Sequence, residues 1–110
     1  MIDTMGILMK ISRELHDFHR PKADEPPADE LALRALAFLA SDDERVARFL
    51  ALTGLDAGDV RDMLGERGFH LAVLDHVAGD EAMLVEFAAS ESLPPESVGR
   101  ARRALGGGDV

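Results

Sequence analysis

The stretch LALRALAFLASDDERVARFLALTGL (residues 31–55) decides the fold. It opens on Leu31, Leu33, Leu36, Phe38 and Leu39, interrupted by the single charge of Arg34. At about 100° per residue these apolar side chains wrap most of a helix circumference. That is the pattern of a helix buried on all sides. Pro27 and the acid pair Asp29–Glu30 set its start, because proline fixes a helix-compatible φ and carboxylates complement the positive end of the helix dipole. Ser41-Asp42-Asp43-Glu44 has the form of a capping box, which predicts Ser41 as the N-cap of a second helix. That helix directs Val46, Phe49, Leu50 and Thr53 inward, and Gly54 is predicted to close it in the left-handed conformation.

The same reasoning carries outward. Asp56 is expected to cap a short third helix with Val60, Met63 and Leu64, closed by Gly65. A fourth helix starts near Phe69 and presents Leu71, Val73, Leu74 and Val77. Asp80 caps a fifth, with Met83, Leu84 and Phe87 inward. Pro94-Pro95-Glu96 opens a sixth, with Val98, Ala101 and Leu105 on one face. No segment of this body alternates apolar and polar residues with period two, so no strand is expected. The prediction is an all-α, compact six-helix bundle over residues 28–106, followed by a disordered tail over 107–110.

A shift of 38 residues aligns these helices three by three without a gap. Leu33 falls on Leu71, Leu36 on Leu74, Ala40 on Ala78 and Asp42 on Asp80; Phe49 falls on Phe87, Ala51 on Ala89, Leu55 on Leu93 and Val60 on Val98. A capping acid, a core aromatic and the next helix's first apolar residue all coincide. The expectation is two three-helix units related by a pseudo-two-fold, with the first and fourth helices at the centre.

Residues 1–27 read differently. Ile7, Ile11, Leu15 and Phe18 lie near one face of a helix over 2–18, but Met5, Gly6 and Met9 dilute the pattern. RPKADEPP (20–27) holds three prolines and reads as a linker. The first 27 residues are therefore expected to be a partly disordered, dispensable arm. The whole chain has 110 residues, one domain's worth, with 46% apolar and 30% charged residues. Cysteine is absent, which removes disulfides and thiolate chemistry. Met1-Ile2-Asp3 puts an acid where a signal peptide carries a base, and the apolar stretch 5–9 is short, so a cytoplasmic location is expected. Ten arginines against two lysines, with abundant Ala, Gly and Asp, suit a GC-rich bacterial genome.

Charge narrows the function classes. The net charge is −9; residues 28–94 carry five bases and fourteen acids, while 95–110 carry Arg100, Arg102 and Arg103 against two acids. An acidic body repels nucleic acid and anionic membranes and suits a basic partner. His16 and His19 stand at i and i+3 beside Glu14 and Asp17, without the fourth ligand a structural zinc site needs. His70 and His76 are about 240° apart on a helix and cannot share an ion. His76, in the place of Phe38 in the repeat, reads as a partly packed boundary histidine. The acids fall at helix starts, where they act as caps. No nucleophile elbow, P-loop or dinucleotide-binding fingerprint occurs, so neither a catalytic site nor a metal or cofactor site is expected. FLALTGLDAGDVRDML (49–64) and FAASESLPPESVGRARRAL (87–105) both have a helix-turn-helix outline. The first would turn Asp56, Asp59 and Asp62 toward DNA; the second offers Arg100, Arg102 and Arg103, which suit phosphates or guanine edges.

The string Arg48-Phe49-Leu50-Ala51-Leu52-Thr53-Gly54-Leu55, continued by DAGDVRDML, VLDHVAGDEAMLVEFA and RRALGG, resembles an alphaproteobacterial domain-of-unknown-function family of short helical proteins, over roughly residues 28–107. The resemblance implies an all-helical bacterial protein and no site residue. The function expected is a non-enzymatic protein-interaction or regulatory module with a protein partner. The alternative is nucleic-acid binding through Arg100, Arg102 and Arg103 of the last helix.

Overall fold

The computed structural model describes residues 25–106. Among them are six α-helices and no strand: α1 (Ala28–Ala40), α2 (Asp43–Thr53), α3 (Ala57–Met63), α4 (Arg67–Ala78), α5 (Glu81–Ser90) and α6 (Glu96–Ala104). The all-α six-helix bundle expected from the sequence is what forms. Residues 1–24 of the predicted arm, with His16 and His19, and the predicted tail 107–110 lie outside the described residues. Pro26 and Pro27 lead directly into α1, and Glu25 before them is bound to α6.

The core forms where apolar spacing dictates. Leu31, Ala32, Ala35 and Leu39 of α1 face inward and are fully buried, as are Phe49 of α2, Val73, Leu74 and Val77 of α4, and Phe87 of α5. Small residues on α1 let α4 approach closely, and these two helices run against each other at the centre. α2 packs on α1, α5 on α4, and α6 inserts Ser97, Val98 and Ala101 between α1 and α4. α3 buries no residue and reaches the core only through half-buried Val60 and Met63.

Two expectations need correction. α1 is not buried all round: Leu33 is 40% exposed, and Ala37 and Ala40 are exposed on the same side. An apolar circumference states what a helix could bury, but only a neighbour on each side buries it. Ser41 is also not the N-cap of α2. Its backbone is helical, and its hydroxyl donates to the Phe38 carbonyl at 2.7 Å, so it finishes α1. Asp42 caps α2 instead: its backbone is extended, and its carboxylate accepts from the Glu44 and Arg45 amides at 2.9 and 3.2 Å. Asp56 and Asp59 form a reciprocal capping box at the start of α3, and Asp80 accepts from the Met83 amide at the start of α5. Gly54 closes α2 at φ 76°, a conformation that costs glycine little.

The 38-residue offset has a partial structural counterpart. Corresponding helices start 38 or 39 residues apart. Phe38 meets Phe87 at 5.4 Å between ring centroids, and the positions paired with them by the offset, His76 and Phe49, meet at 5.1 Å. Each contact joins a helix of one half to a helix of the other. The third helices do not follow suit: α6 packs along α1 and α4, and α3 packs closely along neither.

Candidate functional site

The α6 arginines come first. The helix turns Ser97, Val98 and Ala101 into the core, which leaves Arg100 and Arg103 outward and Arg102 at the flank. Arg100 donates to both carboxylate oxygens of Glu25, at 3.1 and 2.7 Å, and buried Ser97 donates its hydroxyl to the same carboxylate at 3.1 Å. The Arg100 guanidinium holds the Glu25 carboxyl below its ordinary range against the opposing effect of burial, with Ser97 adding to the lowering. Arg102 pairs with Asp75 of α4 at 2.6 Å. Arg103 is exposed and forms no ion pair among the described residues. The structure therefore brings Arg100 and Arg102 to acids of the domain itself, and not to a shared outward patch with Arg103.

A second place is concave. A half-open cleft of about 240 Å³ lies between α2, the end of α4 and the start of α5, lined by Arg48, Leu52, Asp75, His76, Gly79, Asp80 and Met83. That volume falls below the range of pockets that hold a drug-sized ligand, and it suits one protruding side chain. Leu52 at its edge is 67% exposed, the most exposed large apolar side chain described. Two glycine-flanked helix ends leave the opening: α2 stops at Gly54, and α4 gives way to Gly79 before Asp80 caps α5.

The offset shows why this corner is open. Its counterpart holds Phe38, Arg45 and Glu86 in place of His76, Met83 and Arg48. There Arg45 lies 4.7 Å above the Phe38 ring and pairs with Glu86, so the corner is filled by a cation, a carboxylate and an aromatic face. In the open corner the smaller imidazole stands against Phe49, and Met83 is turned inward and buried. Burial holds the His76 imidazole below its ordinary pKa, nearby Arg48 acts the same way, and Asp80 opposes them. The His76 Nε2 is buried with no hydrogen-bond partner.

Sequence reading missed His70. It is 4% exposed at the start of α4, and its Nε2 lies 2.6 Å from the Leu64 carbonyl. A carbonyl only accepts, so Nε2 carries the proton and ties the end of α3 to α4. Nδ1 is buried without a partner. The available signal was its place in the α4 inward stripe, one residue after Phe69 and three before Val73. Among the described residues no three His, Asp or Glu side chains gather as metal ligands, and no helix is long and apolar enough to cross a membrane.

No curated protein and no solved structure matches the chain. Its sequence matches the family model described as "Protein of unknown function (DUF3572)" over residues 25–108, from the Glu25 that α6 holds to just beyond the last helix. That match spans most of the chain, and the protein therefore belongs to the DUF3572 family.

Proposed function

We propose that this domain is a non-enzymatic protein-interaction module that takes a side chain of a basic partner at the cleft between α2, α4 and α5. One observation carries the reading: Leu52, two-thirds exposed, stands at the edge of a side-chain-sized cleft floored by Met83 and bordered by Asp75 and Asp80. An apolar anchor point with an acidic border suits an apolar or long-stemmed side chain presented by a positively charged surface. The described residues carry twice as many acids as arginines, sixteen to eight, which steers such a partner in. The sequence resemblance and codon-like composition place the module in the cytoplasm of a bacterium, an alphaproteobacterium on the resemblance. The matched helix starts and the paired aromatic contacts support reading the bundle as two copies of a three-helix unit.

The test is a pull-down from native lysate with the tagged full chain, with and without nuclease, beside the Leu52→Asp variant. A basic protein that survives nuclease and is lost with Leu52→Asp is the expected result. Recovery that vanishes with nuclease, is unchanged by Leu52→Asp and is lost with Arg103→Ala would replace this reading with nucleic-acid binding. Arg103 is the cleaner probe of α6, because changing Arg100 or Arg102 also breaks a pair within the domain.

A further inference from the structure

α1 and α4 hold corresponding places in the two halves, yet one face of α4 is covered where the same face of α1 is open. On α4, Leu74 is fully buried, Leu71 is half-buried, and Asp75 is held by Arg102 of α6. The residues 38 positions earlier on α1 are Leu36, Leu33 and Ala37. Leu36 is half-buried, Leu33 is 40% exposed and Ala37 is exposed, with exposed Ala40 one turn beyond Leu36. The cover on α4 is α6; its counterpart α3 does not pack along α1. The result is an apolar strip, Leu33–Leu36–Ala37–Ala40, with no neighbour laid along it among the described residues.

We infer that this strip is the docking surface of the chain's own segment Ile7–Phe18. Three facts converge on that occupant. The segment arrives at the right place: Pro27 begins α1, and Glu25 is fastened to α6 by Arg100 and Ser97, so the chain before it starts beside the N-terminal end of the strip. It has the right length and pattern. Ile7, Ile11, Leu15 and Phe18 are spaced by four, four and three, which makes one continuous apolar edge if the segment is helical. As a helix it would run roughly 17 Å, against about 11 Å for Leu33–Ala40. Its charge also permits docking. Residues 1–24 carry four bases and four acids, without the acid excess of the bundle, so no net repulsion opposes the contact. A return antiparallel to α1, as in a helical hairpin, sets Leu15 opposite Leu33 and Ile11 opposite Ala37. The strip lies apart from the Leu52 cleft, so the two surfaces fail or stand independently.

The chain has no cysteine, which makes the test direct. In the full chain carrying Leu15→Cys and Leu33→Cys, mild oxidation should close a disulfide within one molecule. In the unmodified chain, amides of residues 7–18 should exchange slowly with solvent, and Leu33→Asp should make them fast while the α4 amides keep their protection. Leu33 is at the surface, so its replacement leaves the core intact; Ile11→Asp gives the same reading from the other partner. A disulfide that links two copies would assign the strip to a second molecule and overturn the inference. So would fast exchange over 7–18 in the unmodified chain, or a Leu33→Cys/Leu64→Cys disulfide forming in preference, which would assign the strip to α3.

Discussion

α3 and α6 stand at corresponding positions 38 residues apart, yet one lies on the rim of the bundle and the other is wedged into it. α6 inserts two small residues, Ser97 and Ala101, around Val98, so its backbone can approach both central helices. It is then fixed at both flanks, by Glu25–Arg100 and by Asp75–Arg102. α3 offers Val60 and Met63 on a seven-residue helix and carries Asp56, Asp59 and Asp62 on its polar side. Its firm attachments are the covalent turns and the His70–Leu64 hydrogen bond. Equal helix starts therefore do not produce equal packing; side-chain size and long-range ties do.

The largest test asks whether the asymmetry is confined to the third helices. Phe49 and Phe87 correspond, both are fully buried, and each meets an aromatic ring of the other half. Phe→Ala at either should cost about 3–5 kcal/mol, and by similar amounts. Urea melts that show one change costing less than about 1 kcal/mol would move the asymmetry into the core and undo the comparison.

Next in size is the contrast between the third helices themselves. Val98 is 1% exposed and Val60 half-buried. Val98→Ala should cost roughly 2 kcal/mol and Val60→Ala under about 1 kcal/mol, since two methyl groups are removed from full burial in one case and partial burial in the other. Hydrogen exchange should agree, with α3 amides opening at lower free energy than α6 amides. Equal costs and equal protection would make α3 as integral as α6.

The caps give a smaller effect. Asp42 and Asp80 correspond and cap α2 and α5 by carboxylate bonds to backbone amides. Asp→Ala should cost about 1 kcal/mol at each, and Ser41→Ala should cost less than either. A Ser41→Ala loss equal to that of Asp42→Ala in thermal melts would return the cap to Ser41.

Much of this bundle was legible because its signals are local. Asp56, Asp80 and Gly54 end or begin helices through bonds within a few residues, and Phe49 and Phe87 sit at helical spacing among apolar neighbours. Ser41 was misread because S-D-D-E allows two frames one residue apart, and only the backbone angle at Ser41 selects between them. The open side of α1 was invisible for another reason. Leu33 is as apolar as Leu31, and only a tertiary neighbour distinguishes them. The Glu25–Arg100 pair joins residues 75 apart, beyond any periodicity argument. Of the candidate site, the α6 arginines were found as a group, but their partners in the fold were not. The cleft was not foreseen either, because it comes from two corners being filled differently: Arg45 and Glu86 close one, and Met83 and Arg48 leave the other open.

That difference also predicts the gentlest effect, a pH dependence in one corner only. His76 occupies the position that Phe38 holds in the closed corner. Burial, aided by Arg48 and opposed by Asp80, lowers its pKa in the folded protein from the ordinary 6.5. The unfolded chain then binds a proton more readily than the folded one, so stability falls as the pH drops. The His76 contribution is fully present above about pH 6.5, declines as the pH falls from there, and levels off once the folded protein is protonated too. Glu25 titrates in a separate window. Its pKa is lowered from 4.5 chiefly by the Arg100 hydrogen bond, so its contribution is lost only in stronger acid. Phe38 cannot titrate, and His76→Phe would give both corners the same aromatic residue. Melting temperatures of the full chain between about pH 7 and pH 5 should therefore decline less steeply in His76→Phe than in the unmodified protein. The variant should bring no comparable change to the more acidic part of the profile, where Glu25 governs. Parallel declines in the two proteins across that interval would mean that His76 does not sense the burial that sets this corner apart.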